Sequence, residues 1–306
     1  MGVSEAISNA AVLPAPDPIA PGRVAVVTGA ASGIGLGLAE RFAAEGMHVV
    51  MADVEEPALA KAAAALADAG ASVLPVTTDV ASLPAVEALR DAALAAFGAV
   101  HVVCNNAGVG GPHGALWECP PAEWDWVLGV NLGGVINGVR AFMPVLLDQE
   151  CGHLLNTSSV FGVFAGTLGP YGVSKHAVTA LSETLYFNLK SRGVTHVGVS
   201  VLCPSAVRTR FGTSSRNRPE WAGGAPGASG AGGAPASDEA ERASAERFDE
   251  LSALGASPEQ VAAMVADGIR SGRFYLLTSD NRHGSVLRRG AEVVAGGPPT
   301  APVDFV

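Results

Sequence analysis

The sequence has few aromatic and few charged residues, and basic residues are the scarcer of the two charge types. Aromatic residues make up 6% and charged residues 16% of the 306 residues, with 19 lysines and arginines against 29 aspartates and glutamates. A formal net charge of −10 provides no basic patch of the kind that binds nucleic acid or an anionic membrane. We also find no apolar run near the roughly 20 residues of a membrane helix. We therefore expect neither nucleic acid nor membrane as a partner.

Cysteine is scarce too, and the four cysteines, at positions 104, 119, 151 and 203, include no CxxC pair. This spacing gives little support to a zinc site or a redox motif. We interpret the cysteines as reduced, mostly buried thiols, and expect a cytoplasmic protein without a bound metal. Residues 1–22 lack the basic and apolar segments of a signal peptide, and we interpret them as a flexible leader.

Short apolar runs alternate with helical segments from Arg23 onward. Strands are predicted at 24–29, 48–53, 72–80, 100–108, 152–159, 196–204 and 273–279. Helices are predicted at 33–46, 56–70, 84–97, 121–149, 171–192 and 238–254, and again after Ser257, which begins a capping-box pattern. Strands separated by helices favour βαβ units with right-handed crossovers. The predicted fold is α/β, a single doubly wound Rossmann-type domain whose parallel sheet of about seven strands is flanked by helices.

The predicted domain covers residues 23–288, and residues 289–306 form a C-terminal tail. A substrate-loop insertion at about 212–256 interrupts the alternation. Its Gly/Ala/Pro/Ser-rich stretch, 221–240, has too little apolar surface to build a core. We expect that stretch to be mobile and to form part of a lid over a substrate.

The segment TGAASGIG, residues 28–35, joins the first predicted strand to the first predicted helix. Gly29 permits a tight turn, Gly33 lets the backbone approach a pyrophosphate, and Gly35 lets the helix pack closely on the strand. The helix N-terminus supplies free N–H groups and the positive end of the helix dipole. This context indicates a dinucleotide site, whereas the alternative is a strand-to-helix turn without a ligand.

Asp53 ends the second predicted strand, where a carboxylate can accept hydrogen bonds from both adenosine ribose hydroxyls and would repel a 2′-phosphate. The neighbouring positions hold Ala30, Ala31 and Val54, so no basic side chain near it in the sequence favours that phosphate. Both observations predict NAD rather than NADP. The alternative is that Asp53 only caps a loop.

Tyr171 and Lys175 lie four residues apart on a predicted helix, so their side chains share a face. A free tyrosine has a pKa of about 10, too high for an efficient base at neutral pH. A nearby ammonium and the positive charge of an oxidised nicotinamide would favour the phenolate. Tyr171 could then take the proton of an alcohol, while a serine hydroxyl at the end of the fifth strand holds the oxygen. The alternative is that this YxxxK pair merely packs.

Together these motifs resemble the short-chain dehydrogenase/reductase family over residues 23–280. The matching segments are TGAASGIG, Asp79–Val80, NNAG at 105–108, Asn131 in GVNLGGV, NTSS at 156–159 and YGVSK at 171–175. The resemblance implies a short-chain alcohol dehydrogenase or ketoreductase that forms a homodimer or homotetramer. It also implies a catalytic tetrad of Asn131, a serine, Tyr171 and Lys175, in which Asn131 holds a water in a proton relay ending at Lys175.

The resemblance extends the cofactor-binding set beyond the glycines and Asp53. The added residues are Ser32, Ile34, Asp79, Val80, Asn105, Ala107, Gly108, Tyr171, Lys175, Pro204, Val207 and Thr209. By the same resemblance, Asp79 and Val80 contact the adenine and Asn105 the adenosine ribose region. Lys175 holds the nicotinamide ribose, and the segment with Val207 and Thr209 binds the carboxamide.

Two adjacent serines compete for the catalytic place. The family's usual interval between serine and tyrosine selects Ser158, whereas alignment of the strand GHLLNTSS selects Ser159. A shift of one residue along a strand moves a side chain to the other face, while the following loop tolerates a lost residue. We therefore predict Ser159 and keep Ser158 as the alternative.

The predicted pocket segments, 109–117, 160–170 and 205–255, contain large apolar side chains and few charges. The large apolar residues are Trp117, Phe161, Phe164, Leu168, Phe211 and Trp221. Such walls predict a hydrophobic secondary alcohol or ketone, aryl compounds included. The stretch GVNLGGVINGVRAFMP also resembles bacterial members that oxidise benzylic alcohols in aryl ethers. Two alternatives stay open: a non-catalytic NAD-binding sensor or scaffold, and an NAD-dependent epimerase or dehydratase.

Overall fold

Within the residues that it describes, the computed structural model has seven strands in one parallel sheet, in the order β3-β2-β1-β4-β5-β6-β7. The structure describes residues 16–111, 115–166, 169–224, 250, 252–279 and 283–300. The strands are β1 (Val24–Thr28), β2 (His48–Asp53), β3 (Val73–Thr77), β4 (Val102–Asn105), β5 (Gly152–Thr157), β6 (Val197–Cys203) and β7 (Tyr275–Leu277). The prediction of a doubly wound sheet is confirmed.

Helices cover both faces of this sheet. They are α1 (Gly33–Ala44), α2 (Glu56–Asp68), α3 (Leu83–Phe97), α4 (Pro121–Leu128), α5 (Gly134–Leu147), α6 (Gly169–Ser191), α7 (Pro258–Arg270) and α8 (His283–Ala295). A π-helical turn, Gly129–Gly133, divides the predicted helix 121–149. α7 begins with the predicted capping box at Ser257 and Gln260. Most of the predicted helix 238–254 and of the loop 221–240 lies outside the described residues.

The two faces of the sheet carry separate apolar cores. Ala25 and Val27 pack with buried residues of α1, α2 and α7, whereas Val24 and Val26 pack with buried residues of α3, α5 and α6. Alternation along a fully buried strand explains why the central strands read as unbroken apolar runs. The helices therefore cover both faces of the sheet, and polar groups are left to the ends of its strands.

The path of the chain opens a crevice at the carboxyl ends of β1 and β4. The chain runs outward from β1 to β2 and β3 and then returns to place β4 beside β1. Loops leaving β1 and β4 diverge at this point, which is where doubly wound sheets bind ligands. Thr28 joins the two strand ends, because its Oγ1 accepts hydrogen bonds from the N–H groups of Asn106 at 2.9 Å and Ala107 at 3.0 Å.

Residues 16–22, which we assigned to the flexible leader, pack onto the domain. Ile19 is 1% exposed and belongs to the core beside α1 and α7. Asp17 forms an ion pair with Arg270 at 2.8 Å. The packed chain therefore begins before Arg23, and α8 likewise crosses the boundary we placed between residues 288 and 289.

The helical run Pro121–Leu147 is long and apolar enough to cross a membrane by length and composition. Glycines and polar residues interrupt its hydrophobic positions, so this helical run does not appear in the sequence as one unbroken apolar stretch. The run packs against α3, α6, β4 and β5, and Asn131 within it is fully buried. We interpret it as a core helix of this fold.

Candidate active site

Helix α6 places Tyr171 and Lys175 side by side at the carboxyl end of β5. The Lys175 ammonium is 3% exposed and donates a hydrogen bond to the carbonyl oxygen of Thr157 at 2.9 Å. Its Nζ lies 5.6 Å from the centre of the Tyr171 ring. The i,i+4 spacing on the helix, which the sequence predicted, therefore brings both groups to one point at the end of the sheet.

Burial controls the titration of both groups. It lowers the pKa of Lys175 to about 8. It also raises the pKa of Tyr171 to about 12, against which a hydrogen bond with Ser159 acts in the lowering direction. We expected the lysine to favour the phenolate, but in the chain alone burial outweighs that effect. Tyr171 is thus a neutral phenol at pH 7, ready to donate a proton, and it needs further positive charge beside it to act as a base.

Ser158 and Ser159 point in opposite directions. The Ser159 hydroxyl is on the side of Tyr171 and lowers the pKa of that phenol. It accepts the N–H of Phe161 at 3.2 Å and lies 3.5 Å from the Pro204 carbonyl oxygen, to which it donates. The Ser158 hydroxyl donates to the carbonyl oxygen of Lys175 at 2.7 Å and lies 2.8 Å from the hydroxyl of Thr179. This alternation continues that of β5 and favours the serine chosen by strand register.

Asn131 sits in the π-helical turn and holds the loop that follows β4. Its Oδ1 accepts the N–H of Val109 at 2.8 Å, and its Nδ2 donates to the Val109 carbonyl at 2.9 Å and to Ser174 Oγ at 3.1 Å. Both N–H donors of the amide are therefore occupied, whereas we expected this side chain to hold a relay water. In this structure the side chain holds the backbone of Val109 in place, and one lone pair of Oδ1 remains for a further partner.

The glycine-rich loop has the shape of a pyrophosphate cradle. Gly29 and Gly33 have φ of +68° and +56°, which side chains other than glycine rarely adopt. A Cβ on Gly35 would lie 2.0 Å from the Gly29 carbonyl oxygen. Ser32 precedes α1 without a side-chain cap, so the first N–H groups of α1 are left for an anion. Thr209 closes the cradle, because its Cγ2 would lie 2.9 Å from a Cβ on Gly33.

Asp53 serves the loop as well as the site. Its two carboxylate oxygens each accept a backbone N–H at 3.0 Å, one from Ala31 and one from Glu55. Asp53 therefore does cap the loop, as the alternative interpretation expected. A carboxylate has about four acceptor positions, so Asp53 can also accept ribose hydroxyls, and the residues fit a dinucleotide.

The other predicted cofactor residues follow the carboxyl ends of strands or begin α1, and one of them needs a correction. Ile34 lies in the first turn of α1, Asp79 and Val80 follow β3, Ala107 and Gly108 follow β4, and Pro204 and Val207 follow β6; their roles toward a cofactor stay predictions. Asn105 is different, since it is 4% exposed and its Nδ2 donates to Asn156 Oδ1 at 2.9 Å. A Cβ on Gly138 would lie 1.9 Å from Asn105 Oδ1. Its side chain fastens β4 to β5, which leaves only its backbone for a ligand.

Sequence reasoning missed Asn106 as a positioning residue. Its Nδ2 donates to the Thr28 carbonyl at 3.0 Å and would lie 2.7 Å from a Cβ on Gly35. Asn106 Oδ1 also accepts the Thr157 hydroxyl at 3.2 Å. Asn106 therefore links the glycine-rich loop to Thr157 at the end of β5, whose carbonyl oxygen accepts the hydrogen bond from Lys175. The signal was the second asparagine of NNAG, which we left without a role.

Comparison with known proteins identifies close relatives. A family model described as short chain dehydrogenase matches residues 23–220. A 1-deoxy-11-beta-hydroxypentalenate dehydrogenase of Streptomyces exfoliatus is 40% identical over 263 residues, 85% of this chain and 84% of that protein. A C alpha-dehydrogenase of Sphingobium sp. strain SYK-6 is 31% identical over 258 residues, 83% and 80% of the two chains. The crystal structure of a short chain dehydrogenase/reductase from Burkholderia phymatum in complex with NAD has a TM-score of 0.85 at 41% identity and covers 93% of this chain and 99% of its own.

We predict that Ser159→Ala lowers kcat by about 10²-fold or more, because it removes the hydroxyl that would hold the reacting oxygen. Ser158→Ala should instead lower the free energy of unfolding by about 1 kcal/mol, because it removes buried hydrogen bonds to α6. Steady-state rates and thermal melts of both variants measure the difference. If Ser158→Ala abolishes turnover while Ser159→Ala does not, the assignment is reversed.

Proposed function

The chain belongs to the short-chain dehydrogenase/reductase family, and on that premise we propose that it is an NAD-dependent alcohol dehydrogenase. Its proposed substrate is a bulky hydrophobic secondary alcohol or the matching ketone, aryl compounds included. The apolar surroundings of Tyr171 carry this proposal. They exclude water from the reacting oxygen and offer few partners for a charged substrate.

Two apolar clusters meet at the Tyr171 ring. The first consists of Val109, Trp126, Val127 and Ala222, and the second of Val160, Phe161 and Phe164. The centre of the Phe211 ring lies 5.4 Å from that of Tyr171. Two of the side chains we expected in the walls, Trp117 and Trp221, are 87% and 62% exposed. Leu168 lies outside the described residues.

The names of two relatives are compatible with this substrate class. The Streptomyces exfoliatus protein is named as a dehydrogenase of a hydroxypentalenate, and the Sphingobium protein as a C alpha-dehydrogenase. The sensor or scaffold alternative gives no reason for a buried lysine beside a tyrosine. Neither of these two names describes an epimerase or a dehydratase.

We assign the proton transfer to this chain's own side chains. Ser159 donates a hydrogen bond to the substrate oxygen, which places that oxygen beside the Tyr171 phenol. NAD held in the crevice would accept the hydride from the carbinol carbon, and in its reduced form it would give the hydride to the carbonyl carbon. In the reducing direction Tyr171 gives its proton to the carbonyl oxygen, and in the oxidising direction it takes the hydroxyl proton. Lys175 holds α6 against β5 and adds positive charge below the ring, which favours the deprotonated tyrosine.

We also propose a cytoplasmic homodimer or homotetramer, as expected from the sequence. Apolar side chains on the outer surface of α6 support this, with Val173 46%, Tyr186 37% and Phe187 66% exposed. A second copy of the chain would cover them. Sedimentation velocity at micromolar concentration measures the assembly, and a single-chain mass throughout would contradict the proposal.

The substrate proposal is tested by reduction of NAD with a graded series of secondary alcohols. Each added buried CH₂ contributes about 0.8 kcal/mol, so three should raise kcat/KM by roughly 50-fold over the smallest alcohol. Phe211→Ala should flatten this dependence because it removes one wall beside Tyr171. Val294→Ala, an exposed position on α8 outside the proposed interface, is the control. NADH binding without turnover of any alcohol would favour the sensor, and equal rates across the series would contradict an apolar pocket.

A further inference from the structure

A second carboxylate, that of Glu55, stands beside the adenosine end of the cofactor site. Glu55 follows Asp53 by two residues, and its N–H is bound to Asp53 Oδ1 at 3.0 Å. Its side chain is 10% exposed. Burial alone raises the pKa of Glu55, but hydrogen bonds from Arg216 and Asn217 lower it below its ordinary value. Glu55 is therefore an ionised, largely buried carboxylate next to the residue that would bind the ribose.

The partners of Glu55 come from far along the chain. Its Oε1 accepts hydrogen bonds from Arg216 Nη2 and from Asn217 Nδ2, the latter at 2.9 Å. Its Oε2 lies 4.0 Å from Arg210 Nη2. We considered only neighbours in the sequence when we expected no basic side chain near the ribose. The fold corrects that expectation, because it brings Arg210 and Arg216 to the end of β2.

The segment 209–217 reaches Glu55 by crossing the cofactor site. It starts at Thr209, which lies against Gly33 at the N-terminus of α1. Ser214 then accepts the N–H of Gly110 at 2.8 Å, and the segment ends at the ion pair with Glu55. Both arginines are thus carried past the place where the pyrophosphate and the adenosine ribose of a dinucleotide belong.

These two arginines are well suited to bind a phosphate ester. A guanidinium has five donors in a planar fork that matches phosphate oxygens. Arg216 keeps a buried Nε with no partner among the described residues, and the Arg210 side chain is 56% exposed. Their two positive charges equal the two negative charges of Asp53 and Glu55. The local balance is therefore neutral, and it becomes positive if one carboxylate is removed.

We propose that Glu55 is a specificity-determining residue that keeps Arg210 and Arg216 from binding the 2′-phosphate of NADP. Asp53 repels that phosphate directly, and Glu55 forms ion pairs with the two arginines that would otherwise attract it. The inference rests on the proposed function only in taking a nicotinamide dinucleotide as the ligand. It assigns the preference for NAD to two carboxylates and a long-range ion pair.

The test is equilibrium binding of NADH and NADPH without substrate, followed by nicotinamide fluorescence and calorimetry. Wild type should bind NADH more tightly. Glu55→Gln keeps the shape of the side chain and removes its charge, so the ratio Kd(NADPH)/Kd(NADH) should fall by about tenfold or more. Asp91→Asn is the matched control, because it removes the same charge from a surface ion pair with Arg90 and should leave the ratio unchanged.

A second variant separates released arginines from a general effect of charge. Arg216→Met in the wild-type background leaves Glu55 without its main partner, so the ratio should rise. It also tests the proposal if Glu55→Gln proves unstable in thermal melts. The double variant Glu55→Gln/Arg216→Met should lose most of the gain in NADPH binding, because coupled residues do not act additively.

Three results would overturn the inference. An unchanged ratio in Glu55→Gln, or an equal loss of affinity for both nucleotides in Glu55→Gln and Arg216→Met, would make the ion pair a structural anchor only. Failure of wild type to bind either nucleotide would contradict the proposed function and this inference with it. An altered ratio without turnover of any alcohol would instead support the inference and contradict the proposed substrate class.

Discussion

The hydrogen bond from the Lys175 ammonium to the Thr157 carbonyl is the contact around which the candidate active site is arranged. A buried ammonium is costly unless it is bonded, and this one is held by the last residue of β5 at 2.9 Å. The contact fixes the rotation of α6 about its own axis. It thereby sets the position of Tyr171 one turn earlier, and the Ser158 hydroxyl, bonded to the Lys175 carbonyl at 2.7 Å, reinforces it. Ser159 faces Tyr171 as a consequence.

The apolar surroundings of Tyr171 keep its phenol protonated, which suits its role as a proton donor and opposes its proposed role as a base. Apolar clusters on two sides raise the pKa of the phenol, while the same clusters would shield a substrate oxygen from water. A phenol held neutral carries the proton that reduction of a ketone requires, and a nearby cation lowers its pKa and shifts it toward the phenolate. Burial also lowers the pKa of Lys175 to about 8, so the charge below Tyr171 diminishes as the pH rises above that value. The arrangement therefore couples the direction of proton transfer to the charges at the crevice.

The sequence predicted those features that depend on local spacing. Strand alternation and the glycine-rich turn predicted the sheet and the cradle. The strand period of two predicted that Ser158 and Ser159 face opposite sides, and the choice of Ser159 as the catalytic serine stays a prediction. The sequence did not predict contacts in which a side chain is hydrogen-bonded to a residue far along the chain. Asn105 is taken up by Asn156 on the adjacent strand, and Arg216 meets Glu55 across 161 residues of chain. Such contacts depend on the path that loops take through the fold, and no periodic pattern in the sequence predicts that path.

The central claim is that the Tyr171 hydroxyl carries the proton while contributing little to cofactor binding. Tyr171→Phe tests it most directly, because phenylalanine keeps the ring packing against Phe211 and removes only the hydroxyl, and Tyr186→Phe on the outer face of α6 is the control. Single-turnover oxidation of a working alcohol and NADH fluorescence titration should be measured on both. The account predicts loss of turnover with nearly unchanged NADH affinity. A Tyr171→Phe enzyme that keeps more than a few per cent of the rate, a loss of roughly 2 kcal/mol or less in barrier, would contradict it.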